Sequence, residues 1–203
     1  MKWALPATDT YFRQHMTGKG FQVEHLERAL THVTRFRTAI DGGAHIGTWS
    51  CAMAERFDRV IAFEPAPDTW ACLVRNIADH DNIEAMNYAL GNAAKMVSVG
   101  DDASRPGNTG ARFVREGNSV PMVRIDDMAL ADVDLLKLDV EGHEYFALQG
   151  ATETIARCRP VVIIEEKDFG GRFGIDKTAA GHFLRQLGMR EIDRIRNDCV
   201  FKF

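Results

Sequence analysis

The chain has 203 residues, 45% of them hydrophobic, and a formal net charge of −4. That length suffices for one sizeable core, and the acidic balance excludes a general binder of phosphate backbones, which would need a basic excess. Cys51, Cys72, Cys158 and Cys199 are widely spaced with no Cys-x-x-Cys pair, which argues against a zinc knuckle or disulfide framework and for reduced core thiols.

No composition shift or linker divides the chain, so one domain is expected over residues 1–203, with residues 1–37 as a helical segment packed on it. Met1-Lys2-Trp3-Ala4-Leu5-Pro6 lacks a signal-peptide core, and no apolar run approaches the roughly 20 residues of a membrane span. The expectation is a cytoplasmic protein without a membrane partner.

Leu26, Ala29, Leu30 and Val33 share one helical face. Thr38 to Asp41 reads as a strand entering the turn Asp41-Gly42-Gly43-Ala44-His45-Ile46-Gly47, and a helix follows to about Phe57. Arg59 to Phe63 is a second strand, ending at Glu64-Pro65. Asp68 is read as the cap of a helix burying Trp70, Leu73, Val74 and Ile77. Ile83 to Leu90 is a third strand, and Val97 to Val99 a short extra one. Glycine and polar residues from Gly100 to Val120 predict an irregular loop or loose hairpin, read as an acceptor-facing lid. Val133 to Val140 is a fourth strand, followed by a helix with Leu148, Ala151, Thr152 and Ile155 on one stripe. Pro160 to Glu165 is a fifth strand, suited to burial on both faces. A helix through Ala180, Phe183, Leu184 and Leu187 precedes a terminal hairpin around Asn197-Asp198. Such alternation predicts a doubly wound α/β fold with a mostly parallel sheet and a C-terminal antiparallel hairpin. Its ligand belongs at the carboxyl ends of the strands.

The chemistry is therefore sought at strand ends. Asp41-x-Gly43-x-x-x-Gly47 lets backbone approach a ligand, and Glu64, one strand over, can accept both hydrogen bonds of a ribose diol. The turn is not Gly-x-Gly-x-x-Gly. An acid at Asp41 would repel a pyrophosphate but suits the ammonium group of S-adenosylmethionine. A third cluster is Lys137-Leu138-Asp139-Val140-Glu141-Gly142-His143-Glu144, where Lys137 and Asp139 point to one face and need partners. Lys137 is expected to bridge Asp139 or Glu165.

With these residues in view, the chain resembles the FkbM family of class I methyltransferases, whose fold is Rossmann-like. Asp41 to Gly47 resembles the first family motif and Phe63-Glu64-Pro65-Ala66-Pro67, with Leu73 and Asn76, the second. Lys137-x-Asp139-x-Glu141-Gly142-x-Glu144, with Leu148 and Gly150-Ala151, resembles the third; Asn87-x-Ala89-Leu90-Gly91 and the strand ending at Glu165 also fit. His45 stands where asparagine is more frequent, and Gly42 where an aliphatic residue is usual.

The resemblance implies methyl transfer from S-adenosylmethionine, with S-adenosylhomocysteine as product, to a hydroxyl of a sugar or secondary metabolite. It implies cofactor contacts from Asp41, Gly43, His45, Gly47, Thr48, Glu64 and Pro65, with Asn87 and Ala89 near the adenine. Asp139 faces the cofactor's amino end or the transferring methyl, and Lys137 keeps Asp139 or Glu165 ionised. Glu141 is the first candidate base, His143 the second, and no metal is called for. The competing readings are a nucleotide-dependent oxidoreductase and a binding module of the same fold without turnover.

Overall fold

The structure is a computed structural model that describes residues 3–16 and 20–203. Met1, Lys2 and residues 17–19, which belong to the leader reading and the expected N-terminal segment, lie outside the described residues.

Ten strands are described: β1 (Thr38–Gly42), β2 (Arg59–Phe63), β3 (Ile83–Met86), β4 (Ala89–Leu90), β5 (Lys95–Gly100), β6 (Phe113–Val123), β7 (Val133–Leu138), β8 (Val161–Glu165), β9 (Arg190–Ile195) and β10 (Asp198–Lys202). The helices are α1 (Tyr11–His15), α2 (Val23–Leu30), α3 (Thr48–Ala54), α4 (Pro67–Asn76), α5 (Glu144–Gln149), α6 (Thr152–Cys158) and α7 (Ala179–Gln186). One seven-stranded sheet has the order β3-β2-β1-β7-β8-β10-β9, and a three-stranded sheet has the order β4-β6-β5. In the large sheet β3, β2, β1, β7 and β8 run parallel, while β10 is antiparallel to both β8 and β9. The fold is the expected mostly parallel α/β sheet with an antiparallel C-terminal hairpin. The switch point falls between β1 and β7, where a crevice opens at the strand ends.

Alternation along the strands builds a core on each face. Ile40, Ile61, Phe63, Leu136, Leu138, Val162 and Ile164 pack with Leu148 and Ile155 of α5–α6 and Leu184 of α7. Ala39, Val60, Ala62, Leu135, Val161 and Ile163 pack with Leu26 of α2, Met53 of α3 and Leu73 of α4. All four cysteines are buried free thiols. Among the described residues no helix is long and apolar enough to cross a membrane.

Several boundaries differ from expectation. Helix α4 starts at Pro67 with Ala66 as its cap, because proline's fixed φ suits the first helical position; Asp68 sits inside the first turn and Val74 is exposed. The expected strand Ile83 to Leu90 is split between two sheets, β3 pairing with β2 and β4 with β6. Residues 113–120 of the expected loop belong to β6, paired with β5, so the part outside the strands is residues 101–112, with a short 3-10 turn at Thr109–Ala111. The helix after β7 breaks at Gly150, where a Cβ would lie 2.0 Å from the Gly91 carbonyl oxygen. The terminal turn is Arg196-Asn197, one residue earlier than expected, with Arg196 at φ 57°.

Candidate functional site

Strands β1 and β7 bring the first and third motifs together in register, Asp41 opposite Lys137 and Gly42 opposite Leu138. The Asp139 N–H then donates to the Gly42 carbonyl at 3.0 Å. This close approach dictates glycine at position 43, which has φ 75° and where a Cβ would fall 1.8 Å from the Asp139 carbonyl oxygen. Gly47 has φ 92° and abuts Leu73. The Gly43 and Ala44 N–H groups both donate to the Phe63 carbonyl, at 3.0 and 2.9 Å. These two amides of the turn are thus taken up by β2.

Asp41, expected to meet the cofactor's ammonium, is fully buried and is not among the residues that line the cavity. Its Oδ2 accepts from Ser50 Oγ at 2.6 Å, and its Oδ1 lies 2.9 Å from Lys137 Nζ, an ion contact more than a directed hydrogen bond. Lys137 also donates to the Gly43 carbonyl at 2.9 Å and to the Gly42 carbonyl at 3.3 Å. Its ammonium is thus seated on Asp41 and the turn, whereas a bridge to Asp139 or Glu165 was expected; the side chain sits opposite Asp41 in register. Burial pulls Lys137 down, but Asp41 and Asp139 outweigh it and hold the ammonium above its ordinary value.

Glu64 follows β2 and is buried at the edge of the cavity. Its Oε2 accepts from the His45 N–H and its Oε1 from the Ala66 N–H, each at 2.9 Å. Burial pushes its carboxyl up to about 7 against these two hydrogen bonds. Asn87 does not reach the cavity as expected. Its Nδ2 donates to the Glu64 and Pro65 carbonyls at 2.9 and 3.1 Å, bracing the segment that carries Glu64. Gly43, His45, Thr48, Pro65 and Ala89 do line the cavity, and Gly47 does not.

At the ends of β7 and β8, Asp139, Glu141 and Glu165 each offer an oxygen within 4.8 Å of the others, a spacing at which carboxylates could hold a cation. Two of them already hold protein cations: Arg105 Nη2 lies 2.8 Å from Glu141 Oε2, and Lys167 contacts Glu165. Burial and the neighbouring Asp139 raise both glutamates, Glu165 to about 10, while Arg105 opposes the rise at Glu141. Glu141 (φ 56°) and Gly142 (φ 98°) both adopt left-handed backbone, which reverses the chain. The reversal leaves His143, expected as the second candidate base, outside the residues that line the cavity. Its Nδ1 sits 3.0 Å from the Leu90 carbonyl, its ring packs on Phe146 and Phe173, and burial lowers it to about 4.

The cavity measures about 530 Å³, within the usual range of small-molecule sites, and lies at the carboxyl ends of β1, β2, β7 and β8. Its lining includes residues that the motifs did not point to. Tyr11, Phe12 and Phe21 come from the N-terminal segment, Arg105 and Thr109 from the irregular loop, and Lys167 from just beyond β8. Lys167, two residues past a strand end, and Arg105 and Thr109, within the loop read as an acceptor-facing lid, carried a positional signal in the sequence; Tyr11, Phe12 and Phe21 carried none.

Residues 41–203 match the family model described as methyltransferase FkbM domain. A curated relative, the hexuronic acid methyltransferase AglP of Haloferax volcanii, is 28% identical over 131 residues, covering 61% of this chain and 53% of its own length. The crystal structure of methyltransferase FkbM from Methylobacillus flagellatus superimposes with a TM-score of 0.56 at 17% identity, covering 95% of this chain and 50% of the other. A putative methyltransferase from Streptococcus mutans, solved in complex with SAH, has a TM-score of 0.55 at 11% identity over 89% of this chain and 97% of the other. The chain spans about half the length of the first two of these proteins.

Proposed function

Since this chain belongs to the methyltransferase FkbM domain family, we propose that it transfers a methyl group from S-adenosylmethionine to a hydroxyl oxygen of a sugar or similar polyhydroxylated acceptor. The observation that carries the reading is one cavity with Glu64 at one strand end and Asp139 with Glu141 at another, either side of a glycine turn. The residues suit that methyl donor. Glu64 oxygens accept one N–H each and keep lone pairs for a ribose diol. The Gly43 and Ala44 amides that a pyrophosphate would need are engaged with Phe63, which disfavours the oxidoreductase reading. The Streptococcus relative's bound SAH supports the same choice, and the Haloferax relative's name supports a sugar-like acceptor.

When bound, S-adenosylmethionine supplies an electrophilic methyl group on a good leaving group. The chain then has to align the acceptor and take its proton. Glu141 lines the cavity with Oε2 held by Arg105, so Oε1 is the atom offered to an acceptor hydroxyl. Asp139 lies against the glycine turn and lines the cavity, where it would face the methyl or the amino end of the donor, while Lys137 holds the Gly42 and Gly43 carbonyls of the turn. Calorimetry with S-adenosylmethionine, followed by assay of S-adenosylhomocysteine over a panel of sugars including uronic acids, tests the proposal. Binding without turnover on any hydroxylated acceptor favours the binding module, and binding of a nicotinamide dinucleotide instead overturns the reading.

A further inference from the structure

His45 reaches two partners in different directions. Its backbone N–H donates to Glu64 Oε2, and its ring Nε2 lies 2.8 Å from Thr109 Oγ1. The Thr109 hydroxyl donates to Asp9 Oδ2 at 2.5 Å, and the Thr109 N–H reaches the same oxygen at 3.1 Å. Asp9 Oδ1 accepts from the Phe12 N–H at 2.7 Å. Asp9 is completely buried and Thr109 nearly so. Because the Thr109 proton goes to Asp9, the lone pairs of its oxygen are left for the imidazole, which assigns a hydrogen to Nε2. A neutral ring meets that requirement, and burial keeps His45 neutral by lowering it to about 4.

The arrangement holds an unfavourable backbone. His45 has φ 52°, in the left-handed region that residues with a Cβ disfavour, and in that conformation its N–H meets Glu64. The Phe12 ring packs on the imidazole with centroids 4.4 Å apart, and Gly110 approaches so closely that a Cβ would lie 2.8 Å from the Phe12 ring. The N-terminal segment and the turn at 109–111 therefore grip the His45 ring together.

We propose that Asp9 and Thr109 are positioning residues for the Glu64 carboxylate, holding His45 in the left-handed turn whose N–H aims Glu64 at the ribose of the bound nucleoside. This rests on the reading of Glu64 as the ribose-binding group. Asp9 lies outside the family-matched residues 41–203, so the N-terminal segment contributes to the cofactor site through two intermediates. A merely structural Asp9 would stabilise α1 and the loop, and its loss would be felt independently of Glu64. A positioning role makes the two losses dependent on each other.

The test uses the full chain with Thr109→Val, Thr109→Ser, Asp9→Asn, Glu64→Gln and the Thr109→Val/Glu64→Gln double variant. Calorimetry measures S-adenosylhomocysteine binding, and amide exchange of His45 is followed without ligand. Thr109→Val is expected to weaken binding about ten-fold, the scale of one hydrogen bond to a charged group. Thr109→Ser is expected to restore it, and the double variant to bind no worse than Glu64→Gln alone. The His45 amide should exchange faster in Thr109→Val. Asp9→Asn, which leaves a single amide oxygen for the Phe12 and Thr109 donors that two carboxylate oxygens now serve, should repeat the effect if Thr109→Val fails to fold. Additive losses, unchanged affinity in a folded variant, or unchanged His45 protection overturn the proposal. Failure of the wild-type chain to bind S-adenosylhomocysteine overturns the reading of Glu64 instead, and the amide exchange still decides the relay.

Discussion

Asp41 and Lys137 are register partners across β1 and β7, and their charged atoms lie 2.9 Å apart on the sheet face that carries Ala39 and Leu135. An ion pair buried at a strand junction is tolerated because each charge neutralises the other and further donors and acceptors complete both shells. Lys137→Met leaves Asp41 buried without its counter-charge and is expected to destabilise the fold by about 3–5 kcal/mol. Chemical denaturation measures this, and a loss below about 1 kcal/mol would show that the pair is energetically idle.

Gly43 and Gly171 form a matched pair for substitution. Gly43→Ala places a methyl against the Asp139 carbonyl in a left-handed backbone, whereas a Cβ at Gly171 meets nothing within 4 Å. Gly43→Ala should lower the melting temperature strongly and displace the end of β7. Gly171→Ala should stay within about 0.5 kcal/mol of wild type. Equal stability of the two variants would contradict the close approach.

Glu141 and His143 are separated by their surroundings. Glu141→Gln is expected to cut turnover by about 100-fold while cofactor affinity changes by a factor of a few. His143→Ala should lower stability and leave the pH profile of turnover in place, since its ring faces Leu90 and titrates near 4. Collapse of turnover in His143→Ala alone would return the base to the histidine.

Glu64 and Glu144 both titrate near 7 in the folded chain because burial disfavours their charged forms. A folded-state value above the ordinary 4.5 means that their stabilising contribution is complete below about 4.5 and is lost as pH rises through about 7. Cofactor affinity should move the opposite way, because an ionised Glu64 is the better acceptor for ribose hydroxyls. Glu64→Gln should flatten the pH dependence of affinity and reduce that of stability, to which Glu144 still contributes. Glu144→Gln should reduce only that of stability, as its Oε1 accepts from the Val140 and Gly142 amides away from Glu64. Denaturation and calorimetry as functions of pH check both, and a pH-independent affinity in wild type would contradict the Glu64 assignment.

The irregular segment 101–112 and the paired strand β6 should differ in hydrogen exchange. Amides of residues 101–104 are expected to exchange rapidly in the free chain and to be protected when a correct acceptor binds, whereas those paired between β5 and β6 exchange slowly throughout. Slow exchange across residues 101–104 without ligand would make the segment structural.

The strands and the site motifs were readable in the residue order because their signals are local. Short apolar runs mark Arg59 to Phe63 or Pro160 to Glu165 over a few residues, and a glycine turn with an acid at Glu64 needs only spacing along the chain. Tertiary contacts decided the rest. Whether Lys137 pairs with Asp41, Asp139 or Glu165 depends on the register of β7 against β1, strands distant in the chain, and alternation leaves all three open. The direction of His143 depends on two consecutive left-handed residues, Glu141 and Gly142, of which only the glycine announces such a backbone. The relay from Asp9 through Thr109 to His45 joins positions 100 and 64 residues apart. Its members are common polar residues, and only their burial together sets them apart, because a polar group removed from water must find its partner wherever the fold has placed one.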